Sequence, residues 1–244
     1  MLLRMLYVFL PIIAAVSGVL QSVTGFGSAI LLMVFLPNFF DMLQAPAIAS
    51  SITFGLSSTM AWKFRKELNW KLVLLPAVCY EIGSIIVLNI AAGLDLHLLG
   101  LAFGIFLILL ALYFLLFSSR VTVSATPVSA SLCSFFSGIC SGLFGIGGPL
   151  LAMYFLAATQ RKQQYAANLQ FVFALTTSIN LIIRIQKGFY TLSFLPVTII
   201  GFLGITVGKQ IGLRILDKIN ISLLRRLVYA LVGISGILTV WEHL

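Results

Sequence analysis

Of 244 residues, 61% are hydrophobic and only 9% are charged, a balance far outside soluble usage that marks an all-α integral membrane protein. The apolar runs are continuous rather than alternating, which excludes a membrane β-barrel. A net charge of +9 would suit nucleic acid in a soluble chain. Here the basic residues are scattered among short loops beside apolar segments, so they serve orientation in the lipid bilayer and no nucleic-acid partner is expected.

The chain opens with an apolar segment over 7–36, interrupted at Thr24-Gly25-Phe26-Gly27. Glycine is poor inside a helix, so the interruption predicts two half-helices. A span at 45–62 follows, then the basic loop KFRKELNWK, spans at 72–91 and 96–117, and a linker at 118–127. The second half opens with a broken segment over 128–158. Its string SGLFGIGGPLL, Ser141 to Leu151, sets Gly142, Gly145, Gly147 and Gly148 directly before Pro149. Proline suits the first position of a helix, so the second arm starts there. After the loop TQRKQQ come spans at 165–185, 192–213 and 223–240, the last two separated by a charged turn around Asp217-Lys218.

An offset of 120 residues (137 − 17) lays Ser17-Gly18 on Ser137-Gly138, Gly25 on Gly145, Gly27 on Gly147 and Leu75-Pro76 on Leu195-Pro196. The chain therefore reads as two tandem repeats, 1–117 and 128–244, in one integrated membrane domain. Arg4 before an apolar run mimics a signal peptide, yet Ser17-Gly18 belongs to the repeated unit, so the segment is expected to stay. Charge bears on topology. If all eight segments cross, the 15 basic residues divide almost evenly between the two faces. If the broken segments are re-entrant hairpins with arms of about thirteen to sixteen residues, only Arg4, Arg184 and Lys187 lie outside, and the other twelve (15 − 3) lie inside. Basic residues favour the cytoplasm. The expectation is thus a hairpin plus three spans per repeat, the second repeat inverted, against a plain eight-span alternative.

Non-helical backbone at membrane depth is tolerated only where it is buried or lines a wet cavity. The tips Gly25-Phe26-Gly27-Ser28 and Gly145-Ile146-Gly147-Gly148-Pro149 are accordingly the first candidates for a substrate site. The outgoing half-helices offer free N–H groups and a positive dipole end to an anion. The incoming ones bring carbonyls, which leaves a cation open, and close helix packing is the bland alternative. Gln21, Ser22 and Thr24 flank the first tip and Ser141 the second. In the following spans Ser50, Ser51 and Thr53 match Gln170, Phe171 and Phe173, with Asn168 beside Gln170. Such uncharged groups either replace part of an anion's hydration or bond helix to helix. Glu81 lies near the centre of an apolar span, where a carboxylate is costly, and is the candidate carrier of a coupled proton. Lys209 reads as a snorkelling side chain. Cys79, Cys133, Cys140, His97 and His243 show no metal-ligand spacing, and neither an enzyme constellation nor a cofactor is expected.

Two related halves, each opening with a glycine-broken apolar segment, together with SGLFGIGGPLL in the second, resemble the sulfite exporter TauE/SafE family of membrane permeases over nearly the whole chain. The family's glycine-proline signature falls on Gly145, Gly147, Gly148 and Pro149. In the first half Ser28 and Ala29 replace the second paired glycine and the proline. The stretch AIASS, Ala47 to Ser51, is similar to the start of the family's following helix. The resemblance implies a multi-pass carrier of a prokaryotic inner membrane. Its cargo would be small sulfur-containing anions such as sulfite or organosulfonates, coupled to a proton or Na+.

Overall fold

The computed structural model describes residues 2–91, 93–117, 124–215 and 221–244. Most of the linker, 118–123, and the turn at Asp217-Lys218 lie outside them. The described residues form ten α-helices, with no strand among them: α1 (Leu2–Thr24), α2 (Ser28–Phe35), α3 (Gln44–Phe64), α4 (Trp70–Ala91), α5 (Leu96–Leu112), α6 (Pro127–Phe144), α7 (Gly148–Ala158), α8 (Lys162–Gln186), α9 (Leu195–Ile215) and α10 (Ile221–Glu242). Both predicted breaks fall where the glycines stand.

The arms of the broken segments are unequal, unlike the balanced arms expected. α1 has 23 residues and α6 has 18, each within reach of a full crossing, whereas α2 has 8 and α7 has 11. The glycines sit late in each segment, and the second arm then runs out: α2 passes at once into a 3-10 turn around Pro37, and α7 stops at an extended Thr159. Among the described residues six helices are long and apolar enough to span a bilayer, α1, α4, α5, α6, α8 and α9. α3 is as long, but its hydroxyls lower its hydropathy. They are met inside the helix, Thr53 Oγ1 donating to the Ala49 carbonyl (2.9 Å) and Thr59 Oγ1 to that of Leu56 (2.8 Å).

Small residues set the helix pairing, as lipid-embedded helices require, because close backbone approach replaces the hydrophobic drive that water would supply. Gly204, Gly208 and Gly212 of α9 lie against Pro11, Ala15 and Val19 of α1, so these helices run parallel. Gly138 and Gly142 of α6 lie against Tyr80 and Ser84 of α4, again parallel. α3 runs with α9, through Ser51 to Thr198 (2.9 Å) and Lys209 Nζ to Thr59 Oγ1 (3.0 Å). α8 runs with α4, through Asn168 to Asn69 (2.9 Å) and Ser84 to Asn180 (2.8 Å). α5 and α10 pack antiparallel, Gly100 meeting His243 while Gly233 meets Ala111. Exchanging the halves leaves this scheme unchanged: α1–α9 becomes α6–α4, α3–α9 becomes α8–α4, and α3–α8 and α5–α10 map onto themselves.

A methyl group at Gly138 would strike the Tyr80 carbonyl, and one at Gly208 the Ala15 carbonyl, whereas at Gly93 it would meet only ordinary contact. Gly138→Ala and Gly208→Ala should each destabilise the protein by about 1–3 kcal/mol, with Gly93→Ala unchanged. Melting in detergent reads the difference; equal melts for all three would show that backbone contact does not hold these pairs.

Candidate functional site

Each first arm ends in the same way. Gly25 N–H donates to the Gln21 carbonyl (2.7 Å) and Gly145 N–H to that of Ser141 (2.8 Å), both glycines lying in the left-handed region at φ 84° and 69°. This is the glycine-closed helix terminus that other residues adopt only with strain. The chain then turns back into the second arm. The tips meet: the Phe26 side chain packs on Gly148, where an added Cβ would stand 2.8 Å from the Phe26 Cβ. Aromatic rings of α5, of the turn that follows it and of α10 pack against the tips, Phe114 stacking on Phe26 (5.8 Å) and Tyr229 (4.1 Å), Phe106 stacking on Phe144 (5.2 Å) and Phe103 tilted against Phe144 (5.4 Å).

Between the tips lies a cavity of about 40 Å³, room for a few waters at about 10–15 Å³ each. Tip one contributes Gln21, Phe26, Gly27 and Ser28, and tip two Ser141, Gly145, Ile146, Gly147 and Gly148. α3 contributes Ser50, Thr53 and Ser57, α4 Tyr80, and α8 Phe173, Thr177 and Asn180. Its polar lining carries no formal charge, so hydroxyls, amides and backbone groups face whatever enters.

Eleven of the sequence-predicted residues therefore line one space: Gln21, Phe26, Gly27, Ser28, Ser50, Thr53, Ser141, Gly145, Ile146, Gly147 and Gly148. The others stand behind it. Gln170 Nε2 donates to the Gly25 carbonyl (2.6 Å), while its Oε1 accepts from Gln21 Nε2 (3.2 Å). Gln21 also reaches Ser57 (3.4 Å) and accepts from Ser28. Thr24 Oγ1 donates to the Leu20 carbonyl (2.9 Å) and to that of Phe26. Asn168 Oδ1 accepts from Asn69 N–H at the start of α4. Ser22 Oγ returns to its own helix at Gly18 (2.8 Å) against Gly212, Ser51 bonds Thr198, and Pro149 is buried in the first turn of α7. Glu81 does not line the cavity; both its carboxylate oxygens are shielded and without a hydrogen-bond partner. Among the described residues no group of histidine, cysteine and carboxylate is arranged to hold a metal ion, and His97 and His243 stack 5.4 Å apart at the end of α5/α10.

Ser57, Tyr80, Thr177 and Asn180 line the cavity and Arg184 stands behind it, none of them a candidate from the sequence. Ser57 and Thr177 match under the 120-residue offset, a signal that was available. Arg184 was counted only as a topology marker on the outer face, but it is 1% exposed, and its Nη2 donates to the carbonyls of Gly142 (2.8 Å) and Ser141 (3.1 Å) at the end of α6. Its position inside α8 was the clue, since an ionisable residue within a span is seldom idle.

A family model described as sulfite exporter TauE/SafE matches residues 10–239. A "probable membrane transporter protein" of Methanocaldococcus jannaschii is 26% identical over 251 residues, covering 93% of each chain. No solved structure matches.

A methyl group at Gly147 would strike the Tyr80 hydroxyl on the cavity wall and stand 2.8 Å from the Ser137 carbonyl. Gly147→Ala should lower anion flux in proteoliposomes at least tenfold, and Gly147→Leu should abolish it, with insertion and monodispersity retained. Normal flux in the leucine variant would remove the cavity from the transport path.

Proposed function

The chain belongs to the sulfite exporter TauE/SafE family, and we propose that it is a secondary transporter moving small sulfur-containing anions, such as sulfite or organosulfonates, across a prokaryotic inner membrane. The observation that carries this is the cavity where both glycine tips converge. Neutral donors there replace part of an oxyanion's hydration without fixing it by a salt bridge, as a carrier that must release its cargo requires. The relative from M. jannaschii, described as a transporter, is consistent with this.

The halves act as inverted repeats. Parallel α1–α9 and α4–α6, parallel α3–α9 and α4–α8, and antiparallel α5–α10 support the inversion, since each helix of the first half then opposes its counterpart in the second. Inverted repeats around a midplane site are the architecture on which alternating access is built. Both ends of each broken segment then face one side, which leaves the chain's basic residues on the cytoplasmic face except Arg4, Arg184 and Lys187. In a chain freed of its native cysteines, a cysteine at exposed Thr191 should react with an impermeant thiol reagent from outside the cell, and one at exposed Gln163 only after permeabilisation. The reverse pattern would overturn the orientation, and labelling of both from one side would show that α8 does not cross.

Glu81 is the coupling carboxylate of this scheme. A buried carboxylate whose oxygens have no partner is costly when ionised, so a conformational change that wets it couples proton movement to transport. Wild-type proteoliposomes preloaded with unlabelled sulfite should transiently accumulate labelled sulfite, and a pH gradient should drive net uptake. Glu81→Gln should keep the counterflow and lose the pH-driven component. Simple equilibration without overshoot would make the protein a pore, absence of any flux would make it a non-transporting subunit, and an unchanged pH response would return Glu81 to a structural role.

A further inference from the structure

A broken helix presents two chemistries at one place, the carbonyls that end the incoming arm and the N–H groups that begin the outgoing one. Which sign of ion it prefers depends on which set remains free. At tip one two carbonyls are taken by α8: Gln170 Nε2 donates to Gly25 O (2.6 Å) and Tyr165 Oη to Thr24 O (3.0 Å). At tip two Arg184 Nη2 donates to Gly142 O and Ser141 O. All three donors stand on α8. The outgoing arms, by contrast, begin without a capping side chain at Gly27 and Gly147, although Asp95 and Thr126 cap α5 and α6 and Asp41 Oδ1 accepts from the N–H groups of Leu43 and Gln44 at the start of α3. Both of these uncapped ends face the cavity, whereas α8, which begins uncapped at Arg161, starts away from it.

Arg184 adds formal charge to this pattern. It is 1% exposed, its Nε is buried without a partner, and among the described residues no carboxylate pairs with it. Burying an unpaired guanidinium costs several kcal/mol. Helix capping alone does not require that cost, because at tip one the neutral amide of Gln170 performs the same task. The residue matching Arg184 under the 120-residue offset is Phe64, so the charge is a property of one tip and not of the repeated scaffold.

We propose that α8 makes the cavity selective for anions by occupying the tip carbonyls, and that Arg184 is the residue whose positive charge draws an oxyanion toward tip two. This rests on the cavity being the substrate site. Ser141, whose carbonyl Arg184 holds, lines that cavity, so the guanidinium lies directly behind its wall and acts through the field in a medium of low dielectric.

The test uses purified full-length protein in detergent, titrated with sulfite, sulfate and chloride at constant ionic strength, with sodium exchanged for choline. Wild type should bind an oxyanion with an affinity indifferent to that cation exchange. Arg184→Gln, which can still cap the carbonyls, should weaken binding at least tenfold, and Arg184→Lys should stay within about fivefold of wild type. Wild-type affinity in the glutamine variant, or an equal loss in both variants with both folded, would overturn the charge role and leave a helix cap. Should Arg184→Gln not fold, the wild type still decides: stabilisation that follows sodium and ignores the anion overturns the proposal. Arg184-dependent binding of inorganic phosphate alone, with no sulfur anion bound or moved, would overturn the substrate proposed above and leave this inference standing.

Discussion

Everything in this molecule depends on ending a helix inside a low-dielectric layer. A backbone that leaves helical geometry there exposes carbonyl and N–H groups whose alternative partner, water, is absent. The chain meets this constraint at two places at once. Gly25 and Gly145 close the first arms through their own N–H groups, and side chains from α8 complete the carbonyls. The outgoing N–H ends carry no capping side chain, and both lie on a shared cavity.

Such tips hold their place only if the surrounding helices are rigid against one another. The α1–α9 and α4–α6 pairs supply this through glycines whose backbones touch, a contact that tolerates neither slippage nor a larger side chain. A first arm locked to its partner helix in this way positions its tip from the far end, as a lever does. The short second arms have no such partner of comparable extent, and α2 and α7 rest on the aromatic layer of α5 and α10. Each half thus joins an arm held by backbone contact to a short one held by its buried side chains.

Much of this was legible in the order of residues, because glycine and proline act on backbone geometry directly. The breaks at Gly25 and Gly145 and the 120-residue offset between them are local or arithmetic properties. What escaped was long-range. Nothing near Gln170 or Asn168 in sequence says that their amides reach back to Gly25 and Asn69, and their polar character alone made them resemble ligands. Tyr80 was hidden beside Glu81, whose charge drew attention although its carboxylate faces away from the cavity. The unequal arms also depended on where each second arm stops, which a hydropathy run does not mark.

The departures from two-fold equivalence fall at the cavity. Flanking pairs exchange cleanly between the halves, yet tip one is Gly27-Ser28-Ala29 where tip two is Gly147-Gly148-Pro149, and tip one leans on Gln170 where tip two leans on Arg184. Gly27 stands at φ 109° and Gly147 at −106°, so even the turns differ in hand. An inverted scaffold supplies two conformations of nearly equal energy simply by exchanging the roles of its halves, and a ligand shifts such an equilibrium only by its differential affinity for the two. A site built from two unlike tips has that difference built in. Under the proposed function an anion would meet Arg184 behind one tip and the neutral Gln170 behind the other, so its binding would bias one state over its mirror.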